Sequence, residues 1–563
     1  MSEDAESRNG GEVVYDALVD AGVEVLVGLP GTQTLPLDRI VVERDEMEYV
    51  MARHETAIPH IAWGYYEATG RPAATLTVPG PGDTNAMHGL KNADEDCVPI
   101  LHVSADVNPE DRGKGPIHEI EADTFDNAVK ANVSVESEVE LGEKVVEGIE
   151  TALTEPYGPV RLGVPSGLLA ADVESPDATV TPTRKTFDNE DAYDEAATRL
   201  TDAERPVVYA GGGARRSAEG DRVVRELADA LDAPVVTSYK GKGVFPEDDP
   251  RSLGVTGSHT PAGALDVLDA ADVVLALGTD FDGVTTAHWD LPMGDTVIHV
   301  NLDTADVNAS YEADVPILAD VTAAGDALLA RLDESAGSGW NGEDVGSFVR
   351  EEYRDHLDSL GLFDGGEPAN TPELLDAVRE VTPRSTPVTT DVGGFRLWSM
   401  QAFDAYAPED FVTAGSWAGM GVGLPAAIGA AVANGGDDPV LCLTGDGGLM
   451  MCIHELHTAA EYDLPVVVVV SNNADYGIIS KSPKIREYTD DHEFTWGAPD
   501  FATVAEGFGV RGTRARTAAE AKEAVEDAFA RNDGPELIDV AVETEEASAP
   551  EAADYESSVG DLF

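Results

Sequence analysis

Pro439-Val440-Leu441-Cys442-Leu443-Thr444-Gly445-Asp446-Gly447-Gly448, with Asn472-Asn473 following after 23 intervening residues, is the stretch on which the fold turns. Residues 439–444 read as a buried strand, and from 449 to 462 apolar residues fall at helical spacing: Leu449, Ile453, Leu456, Ala459 and Ala460. Leu464-Pro465 then leads into Val466 to Val470, an unbroken β-branched run of the kind found in parallel sheets covered on both faces. A strand–helix–strand crossover returns the chain parallel to itself, right-handed in nearly all cases. Asp446 and Asn473 therefore both reach carboxyl ends of parallel strands, where open α/β sheets take ligands. Gly447 and Gly448 open the helix and leave bare backbone N–H groups that a diphosphate can approach. A carboxylate and a carboxamide placed together suit a hard cation such as Mg²⁺, which binds through one or two such groups plus phosphate oxygens. A Gly-Asp-Gly turn alone is common in ordinary strand–turn–helix connections. The spacing, the polyvaline strand and the Asn pair separate this one from them.

The chain has 563 residues, too long for one core, and suggests about three domains. Residues 10–172 alternate strand and helix signals: helix Gly11–Ala21, strand Val23–Val27, the turn Gly28-Leu29-Pro30-Gly31, strand Met47–Ala52, a helix through Trp63 to Ala68, strand Ala73–Val78 and strand Val98–Ser104. This pattern predicts a parallel sheet. A Pro- and Thr-rich linker, Ser175–Lys185, precedes a second domain over about 190–332, where strand Val207–Ala210 runs into Gly211-Gly212-Gly213 and a helix, Asp221–Leu231. Strands Val273–Leu277 and Val297–Leu302 follow, giving a Rossmann-like unit. A triple Gly after a strand is by itself a weak nucleotide signal. Ser335–Gly342 marks the next boundary, and the third domain, about 370–545, carries the Gly-Asp-Gly motif. Residues 546–563 are acidic and read as a frayed tail.

Charge is the second outlier. Lys and Arg number 36 against 107 Asp and Glu, a formal net charge of −71. The acids are spread along the chain, as at Glu204, Asp221, Asp229, Asp232 and Asp248. We read this as adaptation to a salt-rich cytoplasm, because at roughly molar salt the Debye length is about 3 Å and the surface stops repelling itself. Such a charge excludes nucleic-acid and anionic-membrane binding. The residues Met1 to Gly11 are acidic and polar, unlike a signal peptide, and no apolar run approaches a membrane span, so a cytoplasmic location is expected. Cys97, Cys442 and Cys452 sit among apolar neighbours and read as small core residues.

Along nearly its whole length the chain resembles the acetolactate synthase-like branch of the thiamine diphosphate (ThDP) enzymes, in a haloarchaeal form. The resemblance is carried by Gly28-Leu29-Pro30-Gly31, Arg53-His54-Glu55, Gly80-Pro81-Gly82-Asp83-Thr84-Asn85-Ala86, Gly211-Gly212-Gly213, Met420 to Gly429 and the metal motif. It implies three α/β domains: pyrimidine-binding, Rossmann-like and diphosphate-binding. It also implies a catalytic role for Glu55, which would hold the pyrimidine ring nitrogen. Met420 would be the apolar wedge that bends the cofactor. Gly393-Gly394-Phe395, Gly445, Asp446, Gly447, Gly448 and Asn473 would bind the cofactor, with Asp446, Asn473 and the main-chain carbonyl of Asp475 on the metal. The family builds its site from the first domain of one subunit and the third of its neighbour. The resemblance therefore implies a homodimer or homotetramer, with a small regulatory subunit as a further partner.

Three departures from acetolactate synthases stand out. Val284 occupies the place of an Arg that holds the acceptor carboxylate, and Asp280 that of another, so a carboxylate acceptor loses its bidentate partner. The same changes weaken the case for FAD. Ser482, in Lys481-Ser482-Pro483, stands where an acceptor-discriminating Trp is expected. Ile117-His118-Glu119 replaces a family Phe-Gln-Glu, and His118 is suited to relay a proton. His88 is a second candidate for that work, and Lys130 matches a lysine near the pocket mouth.

The expected activity is decarboxylation of a pyruvate-like 2-oxo acid followed by carboligation, with a place in branched-chain amino acid biosynthesis. The alternative is a simple 2-oxo acid decarboxylase releasing an aldehyde. A catalytically silent ThDP-fold subunit is more distant, since it has no chemical need for Glu55, Asp446 and Asn473 together. A dinucleotide oxidoreductase built on Gly211–Gly213 leaves Glu55 and the metal motif unexplained.

Overall fold

The computed structural model describes residues 8–174, 179–182, 187, 189–332, 339–482, 488 and 494–563. Most of the Ser175–Lys185 linker, the Ser335–Gly342 boundary as far as 338, Pro483 and the residues Met1 to Ser7 lie outside them.

Three parallel six-stranded sheets dominate the molecule, with a two-stranded antiparallel ribbon pairing Arg8–Asn9 and Asp172–Val173 beside the first. The first is formed by β1 (Val25–Gly28), β2 (Glu48–Met51), β3 (Ala73–Thr77), β4 (Ile100–Ser104), β5 (Ala131–Ser134) and β6 (Val160–Gly163), in the order β2-β1-β3-β4-β6-β5. Two of its helices matter below: α1 (Ala57–Thr69), which follows β2, and α2 (Pro81–Glu95), which follows β3.

The middle sheet comprises β7 (Pro206–Ala210), β8 (Val235–Thr237), β9 (Ser252–Val255), β10 (Val273–Leu277), β11 (Val297–Asn301) and β12 (Val315–Leu318). Its order is β9-β8-β7-β10-β11-β12, that of a dinucleotide-type doubly wound sheet with its switch point between β7 and β10. The helix α3 (Gly220–Leu231) covers it with Val223, Val224, Leu227, Ala228 and Leu231 buried along one stripe.

In the third sheet β13 (Val388–Thr390), β14 (Phe411–Thr413), β15 (Val440–Gly445), β16 (Val466–Asn472), β17 (Arg511–Ala515) and β18 (Glu536–Ala541) lie in the order β14-β13-β15-β16-β18-β17. Strand for strand this repeats the connectivity of the first sheet. Val440 pairs with Val466 and Val468 with Leu537, so the polyvaline strand is central and covered on both faces, as its lack of alternation predicts. Its helices include α4 (Gly394–Ala402), α5 (Gly423–Ala433) and α6 (Asp446–Cys452).

One apolar core joins the first and third sheets: Ile61 and Trp63 of α1 lie in the same cluster as Leu424 and Ile428 of α5. The two helices cross at Gly64 and Gly429. A Cβ on Gly64 would come far inside contact distance of the Ala426 carbonyl oxygen, and one on Gly429 far inside contact distance of that of Ile61. Among the described residues no helix is long and apolar enough to cross a membrane.

Two sequence expectations are corrected. The helical run read over 449–462 is broken: α6 ends at Cys452, a 3₁₀ turn spans Ile453–Glu455, and a second helix covers Leu456–Glu461. The break turns Glu455 inward, where it is fully buried. The tail read as frayed is packed instead. Ser548 and Glu551 form a capping box on α7 (Ala549–Ala553), Val559 is buried, and the Tyr555 ring stacks on His356 at 4.8 Å. Alanines spaced for one helical face hold this acidic segment down: Ala549, Ala552 and Ala553 are all buried.

Candidate active site

The Gly-Asp-Gly turn sits where β15 ends and α6 begins. Asp446 is buried there. Its Oδ1 accepts the Gly447 amide at 2.7 Å, while Oδ2 is buried with no hydrogen-bond partner. An unpaired buried acceptor costs about 1–3 kcal/mol, so this oxygen is poised for a ligand that brings positive charge. Burial is the main cause that pushes the Asp446 carboxyl up to about 6, with the nearby Asp475 adding to it. Asn473 Oδ1 accepts the amide of Asp475 at 3.1 Å, and the Asp475 carboxylate is turned away to the Ser480 hydroxyl at 2.6 Å. The Asp475 side chain is thereby engaged with Ser480. Among the described residues no group of three His, Cys, Asp or Glu is arranged to hold a metal ion. A cation here would draw on Asp446, Asn473, a main-chain carbonyl and the oxygens of a diphosphate, a donor set that suits Mg²⁺.

Around this turn the glycines form a close-packed cradle. A Cβ on Gly447 would come 2.8 Å from the Tyr476 ring, and one on Gly448 would come 2.8 Å from the Asp391 carboxyl carbon. Gly393 has φ +151, a conformation for which glycine is suited, and its Cβ position faces open space. Gly394 approaches Ile478, and Phe395 is buried behind them. Tyr476 and Asp391 close the corner beside Gly447 and Gly448, and Gly393 leaves it open on its own side.

Asp391, at the end of β13, organises the neighbouring loop. Its Oδ1 accepts the amide of Gly421 at 2.9 Å and its Oδ2 that of Gly423 at 3.1 Å. Met420 directly precedes the first of these anchors, and its Cε reaches within 3.4 Å of the Cβ position of Gly447. Burial raises the Asp391 pKa, and the amides of Val392, Gly421 and Gly423 oppose that by stabilising the carboxylate. Met420, Gly421, Met451 and Cys452 of the third domain and Thr56, Ala57 and His88 of the first line one cavity of about 380 Å³.

On the first-domain side, Glu55 lies between β2 and α1, one residue before Thr56. Asn85 Nδ2 donates to Glu55 Oε2 at 3.0 Å, and the Thr56 hydroxyl donates to the Asn85 carbonyl at 3.0 Å. The approach to Glu55 is held from the third domain: Glu455 Oε1 accepts the amides of Arg53 and His54, each at 3.0 Å. Burial raises the pKa of Glu455, opposed by those bonds and the Thr458 hydroxyl. The resemblance placed Glu55 beside a neighbouring subunit. In this chain the residue after Glu55 already shares a cavity with Met420 of the same chain.

Other sequence candidates lie elsewhere. His118 takes a positive φ of 65 and its Nδ1 lies 3.2 Å from Gln33 Nε2, with its carbonyl against Gly80; it is not among the residues lining the Met420 cavity. Lys130 Nζ donates to the carbonyls of Thr154 and Pro156 at 2.5 and 2.6 Å. Ser482 donates its amide to the Ile479 carbonyl at 3.0 Å. Val284 packs against the apolar cluster around Tyr239 and Trp398. At the switch point of the middle sheet a cavity of about 170 Å³ is lined by Gly212, Gly213, Arg216, Gly278, Asp280 and Asp306 among others. Asp280 is pushed up to about 7 by burial and by the like charges of Asp282 and Asp306.

Reasoning from sequence missed Asp391 and Glu455 as organisers of the site. Asp391 had a local signal, an acid ending a strand just before Gly393-Gly394, whereas Glu455 had none, because its partners are some 400 positions away.

Models of the thiamine pyrophosphate enzymes match all three parts of the chain: the N-terminal TPP binding domain over residues 8–127, the central domain over 193–328 and the C-terminal TPP binding domain over 391–540. The chain is 30% identical over 556 residues to a probable acetolactate synthase large subunit of Methanocaldococcus jannaschii, covering 96% of this chain and 92% of that one. It is 29% identical to the acetolactate synthase isozyme 1 large subunit of Escherichia coli, covering 96% and 95%. With the isozyme 2 large subunit of the same organism it shares 30% identity, covering 95% and 96%. Two sheets of one connectivity around a Rossmann-ordered sheet, a glycine cradle beside an unpaired buried aspartate, and similarity over nearly the whole length agree: the chain belongs to the thiamine diphosphate enzymes, in their acetolactate synthase-like family.

Proposed function

We propose that this protein uses ThDP and Mg²⁺ to decarboxylate a pyruvate-like 2-oxo acid and to join the remaining fragment to a second carbonyl compound, as an acetolactate synthase large subunit does. The observation that carries the reading is the Gly445-Asp446-Gly447 turn, where Met420 reaches the Gly447 position next to the unpaired Asp446 oxygen. When bound, ThDP supplies an electron sink for the pair released as CO₂ leaves.

The chain's own residues do the rest. Asp446, Asn473 and the Asp475 carbonyl would hold Mg²⁺, and Gly393, Gly394, Phe395, Gly445, Gly447 and Gly448 would seat the diphosphate through backbone groups. Met420 would support the cofactor from beneath. Glu55, oriented by Asn85, holds and returns a proton at the pyrimidine ring nitrogen. His118 belongs to the proposal as a proton relay from the first domain's edge.

FAD is left out of the proposal. The middle cavity sets Asp280, Asp282, Asp303 and Asp306 against Arg216 and Lys240, so acids outnumber the cations that a dinucleotide's phosphates would need. We further infer a cytoplasmic homodimer or homotetramer. The relatives' designation as large subunits supports a small regulatory partner.

The test uses purified protein in multimolar KCl with ThDP, Mg²⁺ and pyruvate, following CO₂ and acetolactate together. Both products are expected, with Glu55→Gln at least about a hundredfold slower, the scale of one general acid–base group. CO₂ with free aldehyde and no acetolactate would replace the carboligase by a decarboxylase. Failure of the wild-type protein to bind ThDP would end the proposal.

A further inference from the structure

The loop from β14 to α5 carries Met420 and is pinned at three places. Asp96 Oδ1 accepts the Gly415 amide at 3.0 Å, and Asp391 takes the amides of Gly421 and Gly423. Between them stands His88, which α2 brings in from the first domain. The Trp417 indole N–H donates to His88 Nδ1 at 2.9 Å. That bond requires a lone pair on Nδ1, so the ring hydrogen sits on Nε2.

The Cε1 edge of the His88 ring abuts the loop at Gly419. A Cβ on Gly419 would come 2.6 Å from His88 Nε2 and closer still to Cε1. Gly419 is not among the residues with positive φ, so its backbone does not itself call for glycine. Space for His88 does. Behind the ring, buried His60 meets it edge-on with centroids 4.9 Å apart. Burial lowers the His88 pKa, which keeps the ring neutral and Nδ1 free to accept. Of Asp96, Asp391 and His88, the side chain that lines the cavity with Met420 is that of His88.

We propose that His88 is a positioning residue for the cofactor: bonded to Trp417 and seated on Gly419, it clamps the Met420 loop of the third domain to α2 of the first and so fixes the wedge. This rests on the ThDP reading above and adds to it a residue pair, His88 and Gly419, that must be chosen together. A side chain at 419 and a ring at 88 exclude each other. Loss of the ring frees the Trp417 indole and lets the loop shift, so the cavity is no longer formed in advance of binding and affinity falls.

The test is ThDP affinity by calorimetry on the full-length protein in multimolar KCl with Mg²⁺, with thermal unfolding of each variant alongside. Wild type binding no ThDP would overturn this inference together with the function it rests on. Given wild-type binding, His88→Ala is expected to weaken it about tenfold, the scale of one buried hydrogen bond and its packing. His88→Gln, which retains an acceptor for the indole, is expected to recover most of that loss. Gly419→Ala is expected to weaken binding at least as much in the presence of His88, yet to add little in the His88→Ala background, the signature of two coupled sites. Wild-type affinity in His88→Ala, or equal effects of Gly419→Ala with and without His88, would overturn the clamp while leaving the ThDP assignment standing.

Discussion

Asp83 shows how much one residue of a matched motif does away from the chemistry. It is fully buried at the start of α2, and its carboxylate takes the Arg161 guanidinium at 2.7 and 3.0 Å, the Ser104 hydroxyl at 2.8 Å and the Thr77 hydroxyl at 2.8 Å. Burial alone raises its pKa, but Arg161 and His102 outweigh that and bring it down to about 2. A carboxyl depressed on folding contributes stability above its unfolded pKa of about 4 and loses it as pH falls toward about 2. That contribution is about 2 kcal/mol. Asp83→Asn leaves Arg161 buried with Asp106 as its remaining charged partner. We expect a loss of about 3 kcal/mol at neutral pH, together with a flatter stability profile between about pH 4 and 2. Urea unfolding at several pH values measures both, and an unchanged acid limb would contradict the account.

At the scale of elements, the crossing of α1 and α5 sets the distance between the first and third sheets. Gly64 and Gly429 let the two backbones touch, with Ala426 and Ile61 carbonyls where side chains would stand. Ala is a better helix former than Gly by about 1 kcal/mol, so an exposed Gly→Ala in a helix would stabilise. Here overpacking opposes it at about 1–3 kcal/mol. Gly429→Ala is therefore expected to lower stability, and because α1 and α5 both begin at the cavity, to weaken ThDP binding as well. Thermal unfolding with and without ThDP checks this; a gain in stability would show that the crossing tolerates a methyl group and that the close approach carries no load.

Over the whole molecule, two kinds of electrostatics coexist. At the junction of the three domains, buried Glu67 takes Arg216 and Lys240, each at 2.9 Å, and pairs with Arg215. Lys240 also reaches Asp96 at 3.2 Å and the Thr413 carbonyl at 3.0 Å, and stands over the Trp63 ring at 5.0 Å. These contacts are shielded from solvent ions. The surface is not, and it carries most of a net charge of −71. Raising salt from about 0.1 to 1 M shortens the Debye length from about 10 to 3 Å, which removes surface repulsion and leaves the buried junction as it is. Thermal unfolding is expected to move upward by about 10 °C or more over that range. A melting temperature independent of KCl would sink the salt-adaptation reading.

The amino-acid sequence by itself determined what is local and contiguous. Alternation of strands and helices, the buried polyvaline strand, and the turn from Thr444 to Gly448 can be read because periodicity and glycine placement report backbone conformation directly. One crossover suffices to put Asp446 and Asn473 at neighbouring strand ends, so that juxtaposition was legible too. The tertiary structure alone decided which apolar face covers which. Periodicity says that α1 and α5 each have a buried side, but not that they bury it against each other. The same holds for Asp391 under the Met420 loop, Glu455 beneath Arg53 and His54, and His88 against Gly419. Their partners are distant in sequence, and a side chain's polarity records that it needs a partner without recording which one. The helix expected over 449–462 breaks for that reason: a buried carboxylate must find donors, and the backbone bends at Glu455 to reach them.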